Sequence, residues 1–187
     1  MTPLIVLTDR RQCTRPLPDV VAAAVDGGAR LVVLREKDLP DGERAALAGR
    51  LHAVLAPAGG LLLLAGPTAG PDGRHLAAAD PMPPRPAGLV GRSCHDGGEV
   101  AVAAAEGAHY ATLSPVFPSL SKPGYGPPLG LSALAQRFAI PVYALGGVDT
   151  PERAYACVDN GAAGVAVMGA VMRDPGIVPA FLSAVTS

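Results

Sequence analysis

The stretch GLVGRSCH, residues 88–95, opens as a short apolar run of the kind found inside a sheet and ends on Arg92, Ser93, Cys94 and His95, four side chains that can bind or react. A strand with its chemistry at the C-terminal tip is what a parallel barrel produces, because the C-terminal strand ends and their βα loops converge on one face. Outward from this stretch the chain repeats the pattern. PLIVLT (3–8) breaks into DRRQCTRP, RLVVL into REKD, GLLLLAG (60–66) into a Pro-rich segment, HYATLS (109–114) into the long loop VFPSLSKPGYGPPLG, IPVYAL (140–145) into GGV, and GVAVM (164–168) into GAV. RHL (74–76) is a weaker eighth candidate.

Helical patterns lie between these runs. Pro18 marks a helix start and Gly27–Gly28 its stop. Asp41 caps a helix with Leu47, Leu51, Val54 and Leu55 at helical spacing, and Asp96 with Glu99 forms an acidic capping box. A helix is expected near 131–138, another from Thr150–Pro151 to Asn160–Gly161, and a last one from about Pro175. Strands alternating with helices imply parallel pairing, and continuous Val/Leu/Ala runs fit strands buried on both faces. The expectation is a single α/β domain over residues 1–187, a (β/α)₈ TIM barrel, with an open doubly wound sheet as the rival architecture. The 187 residues are few against the ~250 typical of that barrel, so trimmed elements are expected, above all between 66 and 87.

Composition narrows the function classes. Hydrophobic residues make up 49% and charged ones 17%, which excludes a disordered chain. Lys plus Arg number 15 against 16 Asp plus Glu, so nucleic-acid binding lacks its electrostatic footprint. The aliphatic runs are far shorter than the ~20 residues of a membrane helix, and no signal-peptide pattern opens the sequence, so a soluble cytoplasmic protein is expected. Cys13, Cys94 and Cys157 fit neither a disulfide framework nor a Cys-x-x-Cys site and read as free thiols. A homo-oligomer is compatible with all of this.

At the tips of the last two strands stand ALGGV (144–148) and VMGAV (167–171). Glycine lets backbone approach a ligand, N–H groups at a helix start favour an anion, and the loops after strands seven and eight are the usual phosphate position in barrels. Gly146, Gly147, Gly169 and Ala170 are therefore the expected phosphate grip, against the alternative of two tight turns. Arg35 and Lys37 flank Glu36, so period-two geometry sends both to one side. Lys122, with Ser119 and Ser121 beside it, adds a cation and donors in the loop after strand six.

The succession TDR, LREK, GRSCH, VFPSLSK, ALGGV and GVAVM resembles, in order and spacing, the thiamine phosphate synthase and thiazole tautomerase superfamily. The resemblance implies a (β/α)₈ barrel that binds a small-molecule thiazole phosphate at its C-terminal face. The synthase branch joins a pyrimidine diphosphate to thiazole phosphate, and pyrophosphate departure calls for Mg²⁺ on hard oxygen ligands. Its pattern has Asn-Asp after strand three, where Ala65 and Gly66 stand, and a Gln two residues before the Arg of REK, where Val33 stands. Asp80 matches its second Asp, and Ser119, Ser121 and Lys122 match the Thr-x-Thr-Lys that holds pyrophosphate. The tautomerase branch lacks the Asp pair and keeps a His in a Gly-Arg-Ser-x-His setting, matched by Gly91, Arg92, Ser93, Cys94 and His95.

The expectation is a thiazole tautomerase needing no cofactor, in which His95 moves a proton to aromatise a carboxy-thiazole phosphate, as an imidazole can near neutral pH. Arg35, Lys37, Arg92, Ser93, Ser119, Ser121, Lys122, Gly146, Gly147, Gly169 and Ala170 would bind substrate. The alternatives are the synthase, with Asp80 on Mg²⁺, and a regulator that binds a thiamine-related phosphate without turnover. Cys94 reads as packing, His75 as either facing the pocket or ending its strand, and His52 and His109 as lying away from the site.

Overall fold

A computed structural model describes residues 2–85, 87–118 and 127–186. Eight parallel strands close into a barrel in chain order: β1 (Leu4–Leu7), β2 (Leu31–Leu34), β3 (Leu61–Ala65), β4 (Gly73–Leu76), β5 (Leu89–Cys94), β6 (Tyr110–Leu113), β7 (Val142–Leu145) and β8 (Gly164–Val167). β8 returns to β1 with Leu4 opposite Val165, which closes the ring. All eight expected strands form, and the closed ring settles the choice against an open sheet.

Alternation along each strand sorts side chains into two layers. Ile5, Leu7, Leu31, Val33, Leu63, Ala65, Tyr110, Tyr143 and Ala166 fill the barrel interior. The outward residues of the same strands, among them Val6, Val32, Leu62 and Val165, pack against the helices in a second, larger core. Those helices are α1 (Leu17–Asp26), α2 (Asp41–Leu55), α3 (Gly97–Ala105), α4 (Pro151–Asp159), α5 (Gly169–Arg173) and α6 (Val178–Thr186). The Asp96 carboxylate caps α3 by accepting from the Glu99 N–H at 2.8 Å, and Thr150 caps α4. No helix among the described residues is long and apolar enough to cross a membrane.

The expected trimming is present. Between β3 and β4 there is no helix; Asp72 takes over, its carboxylate accepting from the Leu62 N–H at 2.8 Å while Gly66 N–H donates to His75 O. Between β4 and β5 the described chain is irregular, and Arg92 covers the gap. Arg92 points out of the barrel and is 6% exposed; its guanidinium donates to the carbonyls of Ala78 (3.2 Å) and Asp80 (2.5 Å) and pairs with Glu106 at 3.3 Å. The helix expected near 131–138 is a single 3-10 turn, Leu131–Leu134, because only Leu134 is buried there and Pro141 stands just before the next strand. α5, five residues long, was not anticipated.

Candidate active site

The tips of β7 and β8 form one pocket of about 400 Å³, lined by Gly146, Gly147 and Gly169 with Asp9, Gln12, Asp149 and Arg173 among its polar residues. Gly146 and Gly147 have φ of 91° and 68°, and a side chain on Gly147 would lie 2.5 Å from Pro118 O. Only glycine turns the backbone here at no cost. Both carbonyls are occupied: Gly146 O accepts from Phe117 N–H, and Gly147 O accepts from Arg153 Nη1 at 2.7 Å, with the guanidinium 5.1 Å above the Phe117 ring. Among the described residues the Gly147 N–H meets no acceptor. Gly169 and Ala170 begin α5, whose first N–H groups have no intrahelical partner. Ala170 itself is buried one residue beyond the pocket wall. The sequence reading missed Arg173, although its place four residues after Gly169, one helical turn on, brings Nη1 to 3.0 Å from Gln12 Oε1 at the pocket edge.

The loops after β1 and β2 are locked together. Glu36, 3% exposed, accepts from Arg10 N–H and Nη1 at 3.0 and 2.8 Å, and Asp38 accepts from Arg10 at 2.7 and 2.6 Å. The guanidinium bond from Arg10 holds the Asp38 carboxyl far below its usual range. With Glu36 turned to β1, Arg35 is half-buried and Lys37 exposed.

His95 directly follows β5, and Glu99 of α3 accepts from both its N–H (2.7 Å) and its Nδ1 (3.1 Å). Glu99 thus bonds His95 backbone and ring instead of completing the reciprocal capping box with Asp96. His95 does not line the glycine pocket. Ser93 faces inward and Arg92 outward, so the expected substrate contact by Arg92 gives way to the outer clamp described above. Cys94 is buried, and burial pushes its thiol up to about 11, as expected of a packing residue. His109 accepts from Val90 N–H and His52 pairs with Asp72, both away from the pocket. Ser119, Ser121 and Lys122 lie outside the described residues.

The barrel interior also holds a buried imidazole, at a position whose role the sequence leaves open between facing the pocket and ending its strand. His75, 4% exposed, sits in the barrel interior with Tyr110 Oη 2.9 Å from Nδ1 and Ser93 Oγ 3.0 Å from Nε2. Burial, with the Lys37 charge, pushes its pKa down to about 4, so it is neutral at physiological pH. In the strand register Gly91 stands between His75 and Tyr110. A Cβ at Gly91 would collide with the Tyr110 ring, which is why the opening stretch carries glycine there.

The thiamine monophosphate synthase family model matches residues 4–171. A thiamine-phosphate synthase of Anaeromyxobacter dehalogenans is 39% identical over 80% of this chain and 73% of its own length. One of Roseiflexus castenholzii is 36% identical over 91% and 81%. The solved thiamine phosphate pyrophosphorylase from Pyrococcus furiosus superposes with a TM-score of 0.84 at 27% identity, covering 98% of this chain and 95% of that one. These likenesses overturn the expected tautomerase: the relatives carry the synthase name, and the proton shift assigned to His95 falls with that reading. What connects the glycine pocket, the REK loop and the β5 tip is common descent, and the chain belongs to the thiamine monophosphate synthase family.

Proposed function

We propose that this protein couples a pyrimidine diphosphate to a thiazole phosphate, releasing pyrophosphate and forming thiamine phosphate. The observation that carries the reading is similarity to thiamine-phosphate synthases along nearly the whole chain, glycine pocket included. In this scheme the N–H groups of Gly147 and Gly169, with Ala170 behind them, hold the thiazole phosphate by backbone alone, as helix starts and glycine turns do for anions. Arg173 adds a charge at the edge. The bond between the pyrimidine methylene carbon and diphosphate oxygen breaks as the thiazole nitrogen bonds to that carbon, and the electron pair leaves on oxygen. Arg35 and Lys37 supply positive charge to stabilise that departing anion, with Lys122, Ser119 and Ser121 as further donors.

The resemblance implies Mg²⁺ for this departure, yet the described residues do not form a site for it. Ala65 and Gly66 at the β3 tip carry no carboxylate, and one Asp80 oxygen already accepts from Ala77 N–H at 2.8 Å. No three His, Cys, Asp or Glu side chains converge among the described residues. No step is therefore assigned to a metal.

The test supplies purified protein with both substrates, with and without Mg²⁺, and follows thiamine phosphate and pyrophosphate together. Equimolar appearance of the two is expected. Tight binding of thiazole phosphate without product under either condition would replace the enzyme with a binding protein, a reading that the bare β3 tip favours.

A further inference from the structure

His75 is buried, titratable and unused by the chemistry above, yet three hydroxyls surround its ring. Tyr110 Oη lies 2.9 Å from Nδ1, Ser93 Oγ 3.0 Å from Nε2, and Thr112 Oγ1 3.5 Å from Nε2. The direction of these bonds follows from the burial of Tyr110. Its side chain is fully buried, and His75 is the sole hydrogen-bond partner of its hydroxyl among the described residues. If the phenol accepted from the imidazole, its own O–H would be left inside the protein without an acceptor, which is costly. It therefore donates to Nδ1. A neutral imidazole whose Nδ1 accepts carries its proton on Nε2. That N–H donates to Ser93 Oγ, with Thr112 as a longer second acceptor. Ser93 then holds its own O–H outward, with no acceptor for it among the described residues. Ser93 stands one residue before the C-terminal end of β5, two before His95, and is half-buried, so its hydroxyl is not sealed in the core.

We propose that Tyr110 and His75 are positioning residues that fix the Ser93 hydroxyl as a hydrogen-bond donor to an anionic substrate oxygen at the barrel mouth. This rests on the synthase reading for the identity of the substrate, and on the barrel geometry alone for the direction of the relay. His75 suits the task because its depressed pKa keeps it neutral, so the donor and acceptor ends stay assigned. Gly91 serves the same relay from the opening stretch, since any side chain there displaces the Tyr110 hydroxyl from Nδ1.

Two measurements decide it. Nitrogen NMR of the ligand-free protein should show His75 neutral and protonated on Nε2, and the preference should weaken in Tyr110→Phe, which keeps the ring packing. A proton on Nδ1 would overturn the relay whatever the enzyme does. Steady-state kinetics should show kcat/KM falling about tenfold in Tyr110→Phe and ~10²-fold in Ser93→Ala, with the double variant no worse than Ser93→Ala. Losses that multiply, or no loss, would also overturn it. His75→Gln, whose amide can still donate to Ser93, should recover part of the activity lost in His75→Leu. Should the wild type make no thiamine phosphate, the synthase reading fails by itself, and the same cycle run on calorimetric binding of inorganic pyrophosphate decides the relay.

Discussion

The β7–β8 side of the mouth and the β3–β5 side are built on opposite plans. At β7–β8 the proposed ligand apparatus is backbone: glycines at positive φ, carbonyls tied off by Phe117 and Arg153, and a Gly147 N–H that meets no acceptor among the described residues. From β3 to β5 no helix occurs among the described residues, the β3 tip has no carboxylate, and the polar groups are side chains: Arg92 outside the barrel, His75 with Ser93 and Tyr110 inside it. A backbone site tolerates change around it, provided the glycines stay. A side-chain site built without covering helices depends on each partner in turn.

The sharpest way to break the comparison is therefore on the side-chain half. Arg92→Ala strips two carbonyls and Glu106 of their partner over the gap between β4 and β5, and should cost about 3 kcal/mol of unfolding free energy, read by denaturant titration. Phosphate affinity at the glycine pocket should stay unchanged; a shift in that affinity would join the two halves.

Acid probes the same half. The folded pKa of His75, about 4, lies below its ordinary 6.5, so the unfolded chain binds the extra proton first. The stability this neutral group secures is intact above pH 6.5, drains away as pH falls, and levels off below pH 4, a loss on the order of 3 kcal/mol. His75→Gln should flatten that part of the stability-against-pH curve; an unaltered slope would assign the acid sensitivity elsewhere.

On the backbone half, Gly147→Ala forces a Cβ to 2.5 Å from Pro118 O at a φ of 68°. Thiazole phosphate affinity, measured by calorimetry, should drop by ~10²-fold as the turn reshapes. The smallest effect is expected of Arg153→Met, which frees Gly147 O while keeping apolar contact with Phe117: about a tenfold loss of affinity with stability nearly unchanged. A variant that binds like wild type would show that Arg153 does not set the turn.

Much of the fold was legible because continuous apolar runs and intervening helical spacing are properties of single segments. The eight strands and the trimmed region followed from them. α5 was not legible, since five residues offer no periodicity, and GLSALAQRF resembled a helix although its packing supports one turn only. In the site, Gly146, Gly147 and Gly169 could be grouped from their strand tips alone. The outward clamp made by Arg92 follows from alternation: with Gly91 and Ser93 facing in, the residue between them faces out. The same alternation on β4 turns His75 inward, a signal available in GRHL but hidden by the weakness of that strand. The tautomerase expectation leaned on single departures such as Ala65–Gly66, and similarity to thiamine-phosphate synthases over most of the chain overturned it.

The division between the two halves stands on the glycine turns being the anion site. A crystal structure with thiazole phosphate bound tests this most directly. Phosphate oxygens within hydrogen-bond distance of the Gly147 and Gly169 N–H groups are the predicted result. Phosphate held instead by the arginines outside the barrel, in the groove of Arg11, Arg15 and Arg50, would contradict it.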